Sequence, residues 1–136
     1  MNEYKILTKL QYKTAMNRHD GFNIGAVVVD RQGCILSYGF NSYHKTHPSM
    51  IKNVYYNDHQ IFVHAECDAL YSVDPKTQPF AIIICRLNKK NEFMNAKPCT
   101  GCYLEILKSG IKRIYYTNFE GELTLINAKT PVELYV

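Results

Sequence analysis

Apolar residues recur along this chain with two different periods, and the alternation between them predicts the elements. Residues 2–18 carry Leu7, Leu10 and Ala15 on roughly one face with lysines elsewhere, which predicts an amphipathic helix. HDGFN, 19–23, reads as a turn. IGAVVVD, 24–30, is apolar without alternation and predicts a strand buried on both faces. Asp30 to Gly33 is turn chemistry, and CILSYGF, 34–40, predicts a second strand that closes an antiparallel hairpin. Residues 41–60 are polar and irregular, a loop of a length uncommon in a compact domain unless it is functional or partly ordered.

His64 to Val73 then predicts a helix, with Ala65, Ala69 and Val73 spaced by four and Asp74-Pro75 ending it. FAIIICRL, 80–87, is a strongly apolar third strand, and NKKNEFMNAK a polar loop. Pro98 stands at the first position of another helix running to about Ser109, with Gly110 as a left-handed stop. KRIYYTN is a fourth strand. In the tail, LTLINA fits a short helix or a strand, and VELYV a fifth strand. Strands alternating with helices indicate an α/β layered fold, and the tight turn between the first two strands makes the sheet mixed.

With 136 residues, 46% of them hydrophobic and 21% charged, the expectation is a single globular domain over 1–136. No apolar run approaches the ~18 residues of a membrane span. The opening MNEYKILTKLQYK lacks the apolar centre of a signal peptide, so the expected location is cytoplasmic. A net charge of +4 favours an anionic small substrate or modest nucleic-acid contact over an acidic partner. Five cysteines, an odd number without an export signal, argue against a disulfide framework.

Two of the cysteines form a C-x-x-C pair, and with His64 they make a metal-ligand set. One imidazole and two thiolates, from His64, Cys99 and Cys102, suit zinc and leave the fourth tetrahedral position open, as catalytic sites do. Cys99 and Cys102, three apart at a helix start, share one face where backbone N–H groups favour thiolate. Glu66, two residues from His64, is placed at a first turn to reach the open position and take a proton from bound water. A redox pair is the other reading of C-x-x-C, but such pairs normally follow the first strand of a βαβ unit, and this one comes late.

HAE at 64–66 with PCTGC at 98–102 resembles the zinc-dependent nucleoside and nucleotide deaminases, whose signature is H-x-E…P-C-x-x-C. The resemblance runs from GAVVVD through IYYTN. It implies a three-layer α-β-α cytidine deaminase-like fold with a mixed five-stranded sheet, Zn²⁺ on His64, Cys99 and Cys102, and Glu66 as the catalytic proton carrier. It also implies substrate contacts from the main-chain N–H of Ala65 and from Asn41 in GFNSY, which otherwise reads as a strand-terminal turn residue. Tyr115 and Tyr116 alternate faces, and Tyr116 is the candidate to approach the substrate, with core packing the alternative. Cys67 and Cys85 read as core residues.

G-F-N after the second strand, the x-x-A-L after HAE, KSGIKRIYY and the segment between Asn41 and His64 look most like deoxycytidylate (dCMP) deaminases. Asp68 and Ser42 depart from that branch, which commonly has Asn and Gly there. The implied reaction is hydrolysis of dCMP, or a 5-modified dCMP, to dUMP and ammonia, by a homo-oligomer acting on a small-molecule nucleotide. Rival readings are a deaminase of single-stranded DNA or tRNA, and a zinc-stabilised binding module without catalysis. The loop residues Tyr43, His44, Lys45, His47, Lys52, Tyr55, Tyr56 and His59 suit a substrate lid, a second zinc site or a solvated loop.

Overall fold

Side chains on the strands alternate between two apolar clusters, and that alternation builds three layers. The computed structural model describes residues 1–17, 22–42 and 64–127. Most of the HDGFN turn, the 43–60 loop with its lid and second-zinc readings, and the VELYV strand lie outside these residues.

Helix α1 (Glu3–Met16) opens on Asn2, whose side-chain oxygen accepts the N–H of Lys5 at 3.1 Å, one of the amides a helix start leaves without a partner. It buries Ile6, Leu7, Leu10 and Thr14. Ala15, expected on that face, is only half-buried. Thr14 takes the place because its hydroxyl bonds back to the Leu10 carbonyl at 2.7 Å, so no polar atom is left unmatched.

Strands β1 (Asn23–Val29) and β2 (Ile35–Phe40) form the expected antiparallel hairpin. Asp30 Oδ1 closes its turn by accepting the N–H groups of Gln32 and Cys34, both at 2.9 Å, and Gly33 adopts φ +84°. Helix α2 (Ala65–Tyr71) is followed by β3 (Ala81–Leu87), which pairs antiparallel with β1. Helix α3 (Thr100–Lys108) leads to β5 (Arg113–Thr117), parallel to β3, and Gly110 stops it at φ +84° as expected. Strand β6 (Leu123–Asn127) returns antiparallel to β5, so LTLINA is a strand.

The sheet order is β2-β1-β3-β5-β6, with a sixth, two-residue strand β4 (Phe93–Met94) on β3. Among the described residues the sheet has six strands where five were expected. NKKNEFMNAK was expected to be all loop, but Asn88, whose side-chain oxygen accepts the N–H groups of Lys90 and Glu92, folds it into a tight turn that brings Phe93 back to Leu87. The mixed α/β class stands.

Val27, Val29, Ile83 and Cys85 face α1, with Ile6, Leu7 and Leu10 against them. Ala26, Val28, Ile82, Ile84 and Ile114 face the other way and pack with Ala65 and Ala69 of α2 and Tyr103 and Ile106 of α3. A period of two along each strand therefore supplies both helical layers from one sheet. Among the described residues no helix is long and apolar enough to cross a membrane.

Candidate metal centre

Both short helices begin on the residue that carries the chemistry. His64 is the N-cap of α2 with ψ 153°, and Cys99 the N-cap of α3 with ψ 167°. His64 and Pro98 were expected inside their helices; both lie just outside. A proline there disfavours helical geometry in Lys97, the residue before it, and Cys99 itself is extended. Neither N-cap side chain caps its own helix. The two turn toward each other instead.

His64 Nδ1 lies 3.2 Å from Cys102 Sγ and 3.9 Å from Cys99 Sγ. The three donor atoms all fall within 4.8 Å of one another. Zinc with ordinary Zn–N and Zn–S bonds spaces tetrahedral donors about 3.6–3.8 Å apart, so one nitrogen and two sulfurs at these separations fit it. Cys67 Sγ is 3.9 Å from Cys102 Sγ but stands outside the three-donor group. The residues fitted for a metal are therefore His64, Cys99 and Cys102.

Placement of α2 depends on close contact with β2. A Cβ on Gly39 would overlap the backbone N of Ala69 and the carbonyl of Ala65, so only glycine permits the approach. Ser37 Oγ donates to the Ala69 carbonyl at 2.7 Å, and Asp68 Oδ2 accepts the N–H of Phe40 at 3.0 Å. Ala65 and Ala69 are small enough to bury fully at this seam.

Glu66 sits in the first turn of α2 and is only 5% exposed. Burial pushes its carboxyl pKa up, with the nearby Cys99 charge adding to the rise, while His64 and a hydrogen bond with Cys102 pull it down. Cys99 is lowered to about 4, first by its hydrogen bond with Cys102, then against burial by His64 and the Cys102 N–H. Burial raises Cys102 well above an ordinary thiol, and hydrogen bonding with Cys67 and Cys99 adds to this. His64 loses some basicity to burial but is raised on balance by its hydrogen bond with Cys99 and the charges of Glu66 and Cys99. A thiolate, an imidazole and a carboxyl of raised pKa thus sit together, and a divalent cation there would draw both sulfurs into the thiolate form.

The remaining candidates are placed as follows. Ala65 is the first, fully buried residue of α2. Asn41 follows β2, its Oδ1 accepting from the Ile24 N–H at 2.9 Å and its Nδ2 donating to the Phe22 carbonyl at 2.7 Å. Both ends of this amide thus tie the entry of β1 to the exit of β2. Tyr116 is half-buried and packs on the cluster beneath α2 and α3, while Tyr115 lies on the opposite face with its hydroxyl donating to Glu3 at 3.2 Å. Cys67, expected as plain core, is buried but touches Cys102; its spacing of three from His64, which places it over the same turn, was the available signal.

The family described as the cytidine and deoxycytidylate deaminase zinc-binding region matches residues 2–118. No curated protein sequence matches the chain. Among solved structures, the fold is similar to a cytidine deaminase from Burkholderia pseudomallei, at TM-score 0.65 and 18% identity over 94% of each chain. It is also similar to the dCMP deaminase of cyanophage S-TIM5 in apo form, at TM-score 0.53 and 22% identity over 88% of this chain and 86% of that one. The same phage enzyme in complex with dCMP and dUMP gives TM-score 0.50 and 21% identity over 88% and 85%.

Proposed function

The chain belongs to the cytidine and deoxycytidylate deaminase family of zinc-dependent hydrolases that deaminate cytosine, and from that premise we propose that it converts dCMP, or a 5-modified dCMP, to dUMP and ammonia. The observation that carries the reading is the convergence of His64 Nδ1, Cys99 Sγ and Cys102 Sγ within 4.8 Å beside a buried Glu66. The phage enzyme that holds dCMP and dUMP supports the choice of a mononucleotide, as does the net charge of +4.

In this reading His64, Cys99 and Cys102 hold the zinc. Bound there, zinc would supply Lewis acidity and make the attacking water more acidic. Glu66 takes the proton of the attacking water on a carboxylate oxygen and delivers it to the ring nitrogen beside the amine-bearing carbon. Burial raises its pKa, the direction that strengthens it as a proton acceptor. The second proton of the water goes to the departing amine by the same carboxyl, so water and the cytosine amine leave as a carbonyl and ammonia. The Ala65 N–H and Asn41 would orient the base and sugar, with Asn41 acting through the β1–β2 junction it holds, and Tyr116 closing the wall. One catalytic domain spans 1–136, working as a cytoplasmic homo-oligomer on free nucleotide.

Ammonia release from cytidine, dCMP, dCTP and a single-stranded oligonucleotide, measured on the zinc-loaded protein, tests this. Fastest turnover of dCMP supports it. Release from the oligonucleotide alone refutes it.

A further inference from the structure

A second concave surface lies at the other end of α3. The helix begins at the metal cluster, and its C-terminal Ser109 and Gly110 line a cleft of about 730 Å³. Ten residues at helical rise separate Cys99 from Ser109 by about 15 Å, and the cleft shares no residue with the metal centre.

Phe80 is its fixed point. The Phe80 N–H donates to the Val29 carbonyl at 2.8 Å, and its own carbonyl accepts the N–H groups of Lys112 at 2.9 Å and Arg113 at 3.3 Å. The turn after β1, the entry to β3 and the entry to β5 are thereby locked together. The ring held at this junction carries two guanidinium contacts, Arg31 at 4.6 Å and Arg113 at 5.2 Å from its centroid. Lys112 lines the cleft beside them.

Three exposed cations therefore gather at this junction, two on the ring and Lys112 in the cleft lining. Among the described residues none of the three forms an ion pair. The carboxylate in the lining, Asp30, uses Oδ1 on the N–H groups of Gln32 and Cys34. The negative end of α3 is muted, because its last carbonyls accept from the Ser109 and Gly110 N–H groups and the Ser109 hydroxyl. What remains is a positive concavity of small-ligand size, with Gln32, Thr77 and Gln78 as further hydrogen-bonding groups.

We propose that this cleft binds a phosphate-bearing small molecule, with Arg31 and Lys112 holding the phosphate. Stacking on Phe80 holds the Arg31 guanidinium in place before the ligand arrives, which reduces the ordering cost of a paired N–H···O contact. Lys112, in the same lining, adds a point charge. The inference is independent of the deaminase reading, since it uses no residue of the metal centre.

The test uses inorganic pyrophosphate as probe and the zinc-loaded full chain. Amide shifts are followed at Thr77, Gln78 and Lys112 on one side and at Ala65 and Gly101 on the other, with affinity from calorimetry. Expected are shifts at the cleft amides, a roughly tenfold weaker Kd in Arg31→Gln and again in Lys112→Gln, and unchanged deamination in both. Both altered residues are exposed, so folding is checked by a melting curve alone. No shift at millimolar pyrophosphate, shifts confined to Ala65 and Gly101, or an unchanged Kd in both variants overturns the proposal.

Discussion

Asp68 Oδ2 accepts the main-chain N–H of Phe40 at 3.0 Å, tying the first turns of α2 to an edge strand. An asparagine at position 68 would offer a side-chain oxygen to the same N–H. Asp68→Asn should cost under about 1 kcal/mol in urea unfolding, and Asp68→Ala about 1–3 kcal/mol. Equal losses in the two variants would show that the bond contributes nothing.

Gly39→Ala should be among the most damaging single-methyl changes in the chain. The added carbon overlaps the backbone of α2 at Ala65 and Ala69, neither of which can move aside as a side chain can. About 3 kcal/mol of stability should be lost. Zinc affinity should fall with it, because the displaced helix starts directly after His64. A variant with normal melting and zinc content would contradict the close packing described for this seam.

Cys99 is the thiol to test by alkylation. Its pKa is lowered to about 4, so in zinc-free protein it is thiolate, and nucleophilic, throughout the pH range above that value. Buried Cys85 is pushed up to about 11 and stays protonated. In a Cys34→Ser background, iodoacetamide at pH 6 should label Cys99 ahead of every other cysteine, and less as the pH drops through about 4. Zinc should protect it. Labelling of Cys99 that begins only above pH 8 would contradict the site's electrostatics.

Glu66 should burden the fold it serves. Its folded pKa is raised by burial, so the folded chain keeps this proton after the unfolded chain has lost it. Stability from this group is therefore highest below the unfolded value of about 4.3 and falls as pH rises toward the folded pKa. Zinc-free Glu66→Gln should be more stable than wild type near neutral pH, by about 1 kcal/mol, with the gap closing on acidification. A gap that widens in acid would reverse the sign of the argument.

The candidate site was legible because its ligands are local: two helix starts, each marked by a residue type that ligates metal, with proline beside one. The elements were legible where apolar periodicity runs long, as in β1, β3 and α3. What escaped depends on contacts between distant segments. Nothing local to Asn88 announces that its side chain will fold back and add β4 to β3. Thr14 outcompetes Ala15 for the core only because a back-bond to Leu10 satisfies its hydroxyl against β1. The sharing of Asn41's amide between Ile24 and Phe22 depends on the strand register, which the composition of GFNSY does not determine.

The central claim, that Glu66 moves the protons at a zinc centre made by His64, Cys99 and Cys102, is tested most directly by measuring zinc content and dCMP turnover together in Glu66→Ala. The account predicts about one zinc per chain, a wild-type fold and turnover reduced by ~10²–10⁴ or more. Zinc retained with turnover near wild type would contradict it.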